Sequence, residues 1–85
     1  MGSNLPRVFK QHDLKKLLAG HGCDWLKTGN SGSHHIEIDR EVDGQVLSFR
    51  LPDKEEYFKT YIKALRETLK LDAKSGVSDH RFLNP

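Results

Sequence analysis

The sequence predicts an α+β protein, a two-layer sandwich of order α-β-β-β-α in which both helices cover one face of a three-stranded antiparallel sheet. Three observations support this prediction. Two segments repeat apolar residues at helical spacing, and one segment alternates apolar and polar residues. An Asp43-Gly44 pair, which is typical of a hairpin turn, follows that alternation. The 85 residues are expected to form a single domain, with a core over about 10–72 and a C-terminal tail over 73–85.

Composition excludes several classes of protein and favours none strongly. No apolar run is long enough for a transmembrane helix, and the N-terminus lacks the apolar region of a signal peptide. Cys23 is the only cysteine, so no intrachain disulfide is expected and a cytoplasmic location fits. The formal charge of +2 is compatible with nucleic-acid binding but does not argue for it.

The first helix and the first strand are separated by a glycine-rich turn. The helix is predicted over residues 11–19, from three leucines at helical spacing: Leu14, Leu17 and Leu18. The strand is predicted over residues 23–28, with Trp25 as its main packing residue. The cluster Gly29-Asn30-Ser31-Gly32 then predicts a second turn.

The second strand carries the alternation that separates two adjacent histidines. From His34 to Asp39, Ile36 and Ile38 are expected to face the helices, because neighbouring residues of a strand point to opposite faces. His34 then shares their side, whereas His35, with Glu37 and Asp39, lies on the open face. Residues 45–51 form the returning strand, which ends at Pro52.

The second helix is predicted to run from about Lys54 to Leu71. Asp53 and Glu56 have the spacing of a capping box at its start. Its apolar stripe contains Phe58, Ile62, Leu65 and Leu69, with Tyr61 beside them. Tyr57 is the aromatic residue least expected to be buried. The tail is expected to be either frayed or folded back through Phe82 and Leu83.

His35 is the candidate catalytic residue, because an exposed imidazole can both accept and donate a proton at neutral pH. Lys27 or Arg50, on neighbouring strands, is a candidate for binding phosphate and stabilising its charge, although the sequence leaves their facing open. Gly32 and Ser33 are candidates for holding phosphate through backbone amides and a hydroxyl. His34 is assigned a structural or supporting role. No metal or cofactor is expected, since the two histidines diverge.

The segment Gly32-Ser33-His34-His35 resembles the histidine motif of HicA-type mRNA interferase toxins, whose second histidine corresponds to His35. That family also has a leucine-rich first helix that ends in glycine before an aromatic strand, as in residues 13–22 and Trp25. The resemblance implies a double-stranded-RNA-binding-like fold. It also implies metal-independent cleavage of mRNA within a type II toxin–antitoxin system, with a HicB-type antitoxin as partner.

Two alternatives to a nuclease remain open on the same fold. The family usually has a histidine near the proline that follows the third strand, but here Pro52 is followed by Asp53. A non-catalytic RNA-binding module is therefore the second hypothesis, and a protein-interaction module is the third. Of the remaining candidates, Cys23 has no basic neighbour and is not expected to be a nucleophile. Three further histidines are expected to be surface residues: His12, His21 and His80.

Overall fold

The computed structural model describes residues 5–28 and 35–85. Within these two ranges, five strands and two ten-residue helices are followed by a 3-10 turn and a short third helix. In chain order the elements are β1 (Val8–Lys10), α1 (Gln11–Gly20), β2 (Asp24–Thr28), β3 (His35–Val42), β4 (Gln45–Pro52), β5 (Glu56–Phe58), α2 (Lys59–Thr68), the 3-10 turn (Ala73–Ser75) and α3 (Asp79–Leu83). The predicted α+β class is confirmed.

The central sheet is antiparallel and has the order β2-β3-β4. Its inner face is built from alternate residues, with Ile36 paired to Leu51 and Ile38 paired to Phe49. Ile36, Ile38 and Leu51 are fully buried together with apolar residues of both long helices: Leu14, Leu18, Ile62, Leu65 and Leu69. The hydrophobic core therefore lies between the helices and this one face, and the other face of the sheet is not part of the core.

A second sheet departs from the predicted element order. β1 and β5 form a two-stranded antiparallel ribbon, in which Phe9 pairs with Tyr57. The prediction of one three-stranded sheet in the order α-β-β-β-α is therefore wrong. Residues 8–10 contain too short an apolar run to predict a strand without knowledge of its partner, which lies about fifty residues further along the chain.

Part of the predicted first turns of the second helix, residues 56–58, forms the second strand of the ribbon instead. α2 begins at Lys59 and ends at Thr68, and its start has no side-chain cap. The Asp53 carboxylate accepts a hydrogen bond from Gln11 Nε2 at 2.7 Å, so it serves α1 rather than a capping box. Glu56 lies in the ribbon opposite Lys10. Tertiary pairing has here replaced the local capping preference.

The two neighbouring aromatic residues have exchanged their expected environments. Tyr57 is fully buried, and Phe58 is 67% exposed. The Tyr57 hydroxyl donates to the carbonyl of Pro52 at 2.6 Å and accepts at 3.3 Å from Gln11 Nε2. With Tyr57 held inside, the alternation of a strand places Phe58 on the outer face of the ribbon. If the same residues formed a helix, as the sequence predicted, Phe58 would be buried.

The β3–β4 hairpin forms at the predicted turn. Asp43 and Gly44 have φ values of 51° and 81°, both in the left-handed region. A two-residue turn with positive φ at both positions matches the right-handed twist of its strands. It fixes the register in which Val42 pairs with Gln45, and with it the pairing of all eight residues of each strand.

The C-terminal segment is folded back onto the domain, which decides between the two predicted outcomes for the tail. Phe82 is fully buried, and the Arg66 guanidinium lies 4.7 Å from its ring centroid. Arg66 itself is buried, and it donates to the carbonyls of Leu71 and Val77 and to the Asp79 carboxylate at 2.7–2.8 Å. One side chain of α2 thus holds the segment from 71 to 82.

Replacing this arginine should destabilise the domain. Arg66→Ala removes three hydrogen bonds and the ring contact, and it leaves a buried carbonyl and a partly buried carboxylate without that partner. We expect the free energy of unfolding to fall by about 2–4 kcal/mol in urea denaturation. Lys63→Ala, at an exposed position of the same helix, should change it by less than about 0.5 kcal/mol. Equal losses in the two variants would contradict the role assigned to Arg66.

Candidate functional site

The open face of the central sheet carries the side chains that alternate with the core. Directly paired residues of antiparallel strands lie on the same face. His35, Glu37 and Asp39 of β3 therefore share this face, as predicted, with Arg50 and Ser48 of β4. The candidate site is the end of this face at which β3 begins.

His35 is the first residue of β3 and is half-buried. It pairs with Pro52 on one side and with Thr28 on the other. The start of β3 is fixed by this pairing with Pro52, because the Pro52 carbonyl accepts a hydrogen bond from the buried Tyr57 hydroxyl. Three residues of the histidine motif lie outside the described residues: Gly32, Ser33 and His34.

The strand register distinguishes the two candidate cations. Arg50 pairs with Glu37, and Glu37 lies two residues after His35 on the same face of β3. Lys27 pairs with buried Ile36, so its backbone position belongs to the opposite face. The Lys27 ammonium lies 3.8 Å from the Asp53 carboxylate, at the edge of the sheet. Arg50 is therefore the candidate that the fold places on the same face as His35, opposite Glu37.

Glu37 is a further candidate whose role sequence reasoning did not assign. Its carboxylate lies 3.8 Å from Arg50 Nε, and the Arg50 side chain remains 69% exposed. Two residues along a strand separate His35 and Glu37 by about 7 Å. The strict alternation placed Glu37 on the face of His35, but only the register shows that Arg50 lies opposite it.

The opposite end of the same face is acidic. Asp24 pairs with Asp39 across β2 and β3, and the Ser48 hydroxyl donates to the Asp39 carboxylate at 2.7 Å. Glu41 lies further along β3 toward the hairpin, where it pairs with Val46. The face therefore carries three carboxylates at this end, whereas the end at which β3 begins carries His35, Arg50 and one carboxylate, Glu37. An anionic ligand is disfavoured at the end with three carboxylates.

Metal-ligating and nucleophilic groups do not converge at this site. Within residues 5–28 and 35–85, no three histidine, cysteine, aspartate or glutamate side chains are placed to hold a metal ion together.

His21, predicted to be a surface residue, is half-buried instead. Its ring stacks on Phe82 at 5.3 Å, and its Nε2 lies 2.8 Å from the Phe82 carbonyl oxygen. That contact is structural and fastens α3 to the end of α1.

Cys23 is buried on the core side. Burial raises the pKa of its thiol, Arg40 opposes this, and Asp24 adds to it. A raised pKa disfavours the thiolate, which is the nucleophilic form. Cys23 is therefore unsuited to covalent catalysis.

Alkylation should report this environment. At pH 8, iodoacetamide is expected to modify Cys23 more slowly in the native protein than in unfolding concentrations of urea. The unfolded chain also releases the thiol proton at lower pH than the folded chain. The Cys23 contribution to stability should therefore be present below the ordinary pKa of the thiol and be lost as pH rises through the folded value. Equal alkylation rates in the two states, followed by mass spectrometry, would contradict burial.

Comparisons with protein-family models, with curated proteins and with solved structures gave no significant match. Among the described residues, no helix has the length and apolar character needed to cross a membrane. The fold and the site together define a small α+β protein with a histidine, a glutamate and an arginine on one exposed sheet face.

Proposed function

We propose that this protein is an endoribonuclease that cleaves single-stranded mRNA without a metal ion. The observation that carries the proposal is the placement of His35, Glu37 and Arg50 on one face, at one end of the sheet. Cleavage by internal transfer requires a base, an acid and a cation near one phosphate. These three side chains supply one of each.

The proposed reaction is an internal phosphoryl transfer. The Glu37 carboxylate takes the proton of the ribose 2′-hydroxyl, and the 2′-oxygen forms a bond to the adjacent phosphorus. The bond from phosphorus to the 5′-oxygen breaks, and the protonated His35 imidazole donates a proton to that oxygen. The Arg50 guanidinium stabilises the charge that develops on the phosphoryl oxygens. The products are a 2′,3′-cyclic phosphate and a 5′-hydroxyl.

The separation of the two proton-transfer groups fits this chemistry. The attacking and leaving oxygens lie on opposite sides of phosphorus, so the base and the acid must approach from different directions. A spacing of about 7 Å along one strand leaves room for a phosphate between His35 and Glu37. Asp39, Asp24 and Glu41 repel phosphates from the rest of the face, which restricts the reacting group to the His35 end.

The biological setting follows from the resemblance of residues 32–35 to HicA-type toxins. That resemblance supports a proposed type II toxin–antitoxin pair, with mRNA as substrate and a HicB-type antitoxin as protein partner. Expression of this chain alone should then arrest bacterial growth, and coexpression of the cognate antitoxin should restore it. Growth arrest by His35→Ala equal to that of the wild type would contradict this setting.

Removing the acid should nearly abolish cleavage. His35→Ala is expected to lower the rate of cleavage of a single-stranded RNA about 10²- to 10⁴-fold, measured by gel electrophoresis in the presence of EDTA. His80→Ala, at an exposed histidine of α3, is the matched control and should cleave at the wild-type rate. Intact RNA after incubation with the wild-type protein, together with salt-dependent binding, would support the non-catalytic RNA-binding module instead.

The acid and base assignments can be tested separately through the pH dependence of the rate. The wild type should show a bell-shaped profile, because Glu37 must be deprotonated and His35 protonated. The residual activity of Glu37→Gln should lose the acidic limb, and that of His35→Ala should lose the alkaline limb. Arg50→Ala should keep both limbs at a lower rate. Unchanged limbs in Glu37→Gln would show that another group is the base.

A further inference from the structure

The outer face of the β1–β5 ribbon carries an exposed aromatic ring, with cationic residues at neighbouring positions of the ribbon. Phe58 is 67% exposed, and it lies directly opposite Val8 on the same face. Its exposure is imposed by the fold, since Tyr57 next to it is anchored inside by its hydroxyl. The ribbon therefore presents the ring of Phe58 to solvent at a fixed position and not on a mobile loop.

Three cationic residues occupy positions close to Phe58 in the chain or across the ribbon. Lys59 follows Phe58, and its amide donates to the carbonyl of Arg7 at 3.0 Å, which brings Arg7 beside it. Lys10 lies on the same face of the ribbon, two residues from Val8, and the exposed Glu56 lies directly opposite Lys10. Arg7, Lys10 and Lys59 are exposed, and none has an ion-pair partner in the part of the chain that the structure describes.

A groove lies next to this face, between β1, α1 and the C-terminal helix. Its volume is about 340 Å³, and apolar side chains form most of its wall: Pro6, Val8, Leu17 and Leu83. Lys10 and Asp13 supply the polar groups of its lining. An apolar groove with a few polar groups suits a nucleobase, which has apolar faces and hydrogen-bonding edges.

We propose that Phe58, with Arg7, Lys10, Lys59 and the adjacent groove, is a second RNA-binding site that stacks an unpaired base and holds its flanking phosphates. The proposal rests on the proposed function for the class of ligand, and it adds a surface distinct from the reacting groups. Stacking on an aromatic ring requires unpaired bases, so the preferred substrate is single-stranded RNA. The cations complement the phosphates on either side of the stacked base.

The ribbon is connected to the reacting site through a short path. Tyr57, the residue before Phe58, donates to the carbonyl of Pro52, and Pro52 pairs with His35. An RNA strand bound both at the ribbon and at the His35 site would be held by contacts remote from the scissile phosphate. Such contacts position a substrate without taking part in proton transfer.

The test measures binding of an uncleavable RNA, so that it does not depend on catalysis. A fluorescein-labelled 2′-O-methyl single-stranded oligonucleotide is titrated with the wild type and with Phe58→Ala, and anisotropy gives the dissociation constant. We expect Phe58→Ala to weaken binding roughly 5- to 100-fold. Phe58→Tyr should retain wild-type affinity, because the ring remains. Val46→Ala, which shortens a side chain exposed to a similar degree, should have no effect.

Salt dependence tests the cations. Lys59→Gln and Arg7→Gln should each reduce the slope of log affinity against log salt by about 0.7, the value for one phosphate contact on a single strand. Circular dichroism confirms that each variant is folded. Unchanged RNA affinity in Phe58→Ala would overturn the proposal. That result is the one expected if the Phe58 ring binds a protein and not RNA. Failure of the nuclease proposal is seen separately, as the absence of cleavage products from the ordinary RNA.

Discussion

The hydrogen bond from the Tyr57 hydroxyl to the carbonyl of Pro52 connects the ribbon to the end of the central sheet that carries His35. Tyr57 lies in the ribbon, Pro52 ends the third strand of the central sheet, and Gln11, which donates to the same hydroxyl, begins α1. A buried phenol is stable only when its polar group is satisfied, and this geometry satisfies it. The ribbon, the end of the sheet and the start of the first helix are consequently fixed relative to one another.

The sequence pattern alone was sufficient to predict an element where a single residue pair or the spacing of apolar residues determines it. The leucines of α1, the alternation around Ile36 and Ile38 and the Asp43-Gly44 turn each specify their element without distant partners. The ribbon could not be found in this way, because β1 and β5 are three residues each and pair across about fifty positions. Asp53 and Glu56 have the spacing of a cap, but the pairing of Glu56–Phe58 with β1 prevents the helix from starting there.

The same distinction, between local sequence pattern and the pairing of distant residues, applies to the candidate site. Alternation alone placed His35, Glu37 and Asp39 on the open face, since it needs only the knowledge that the isoleucines are buried. The choice between Arg50 and Lys27 needed the register, because a shift of one residue exchanges the faces of a whole strand. The acidity of the hairpin end also depends on pairing, as Asp24 and Asp39 are fifteen residues apart in sequence. The reacting groups are thus local in sequence, whereas the electrostatic field around them is a property of the sheet.

The ribbon also gives the helical layer an approximate twofold symmetry. Each of its strands is three residues long, carries an aromatic residue at its centre and leads without a loop into a ten-residue helix. The pair Phe9–Tyr57 lies where a local twofold axis would pass, and rotation about it exchanges β1-α1 with β5-α2. Because both helices continue directly from the same hydrogen-bonded pair of strands, the pairing of the ribbon fixes where each helix begins. The same local arrangement of strand and helix is therefore used twice in this chain, although the two sequences are unrelated.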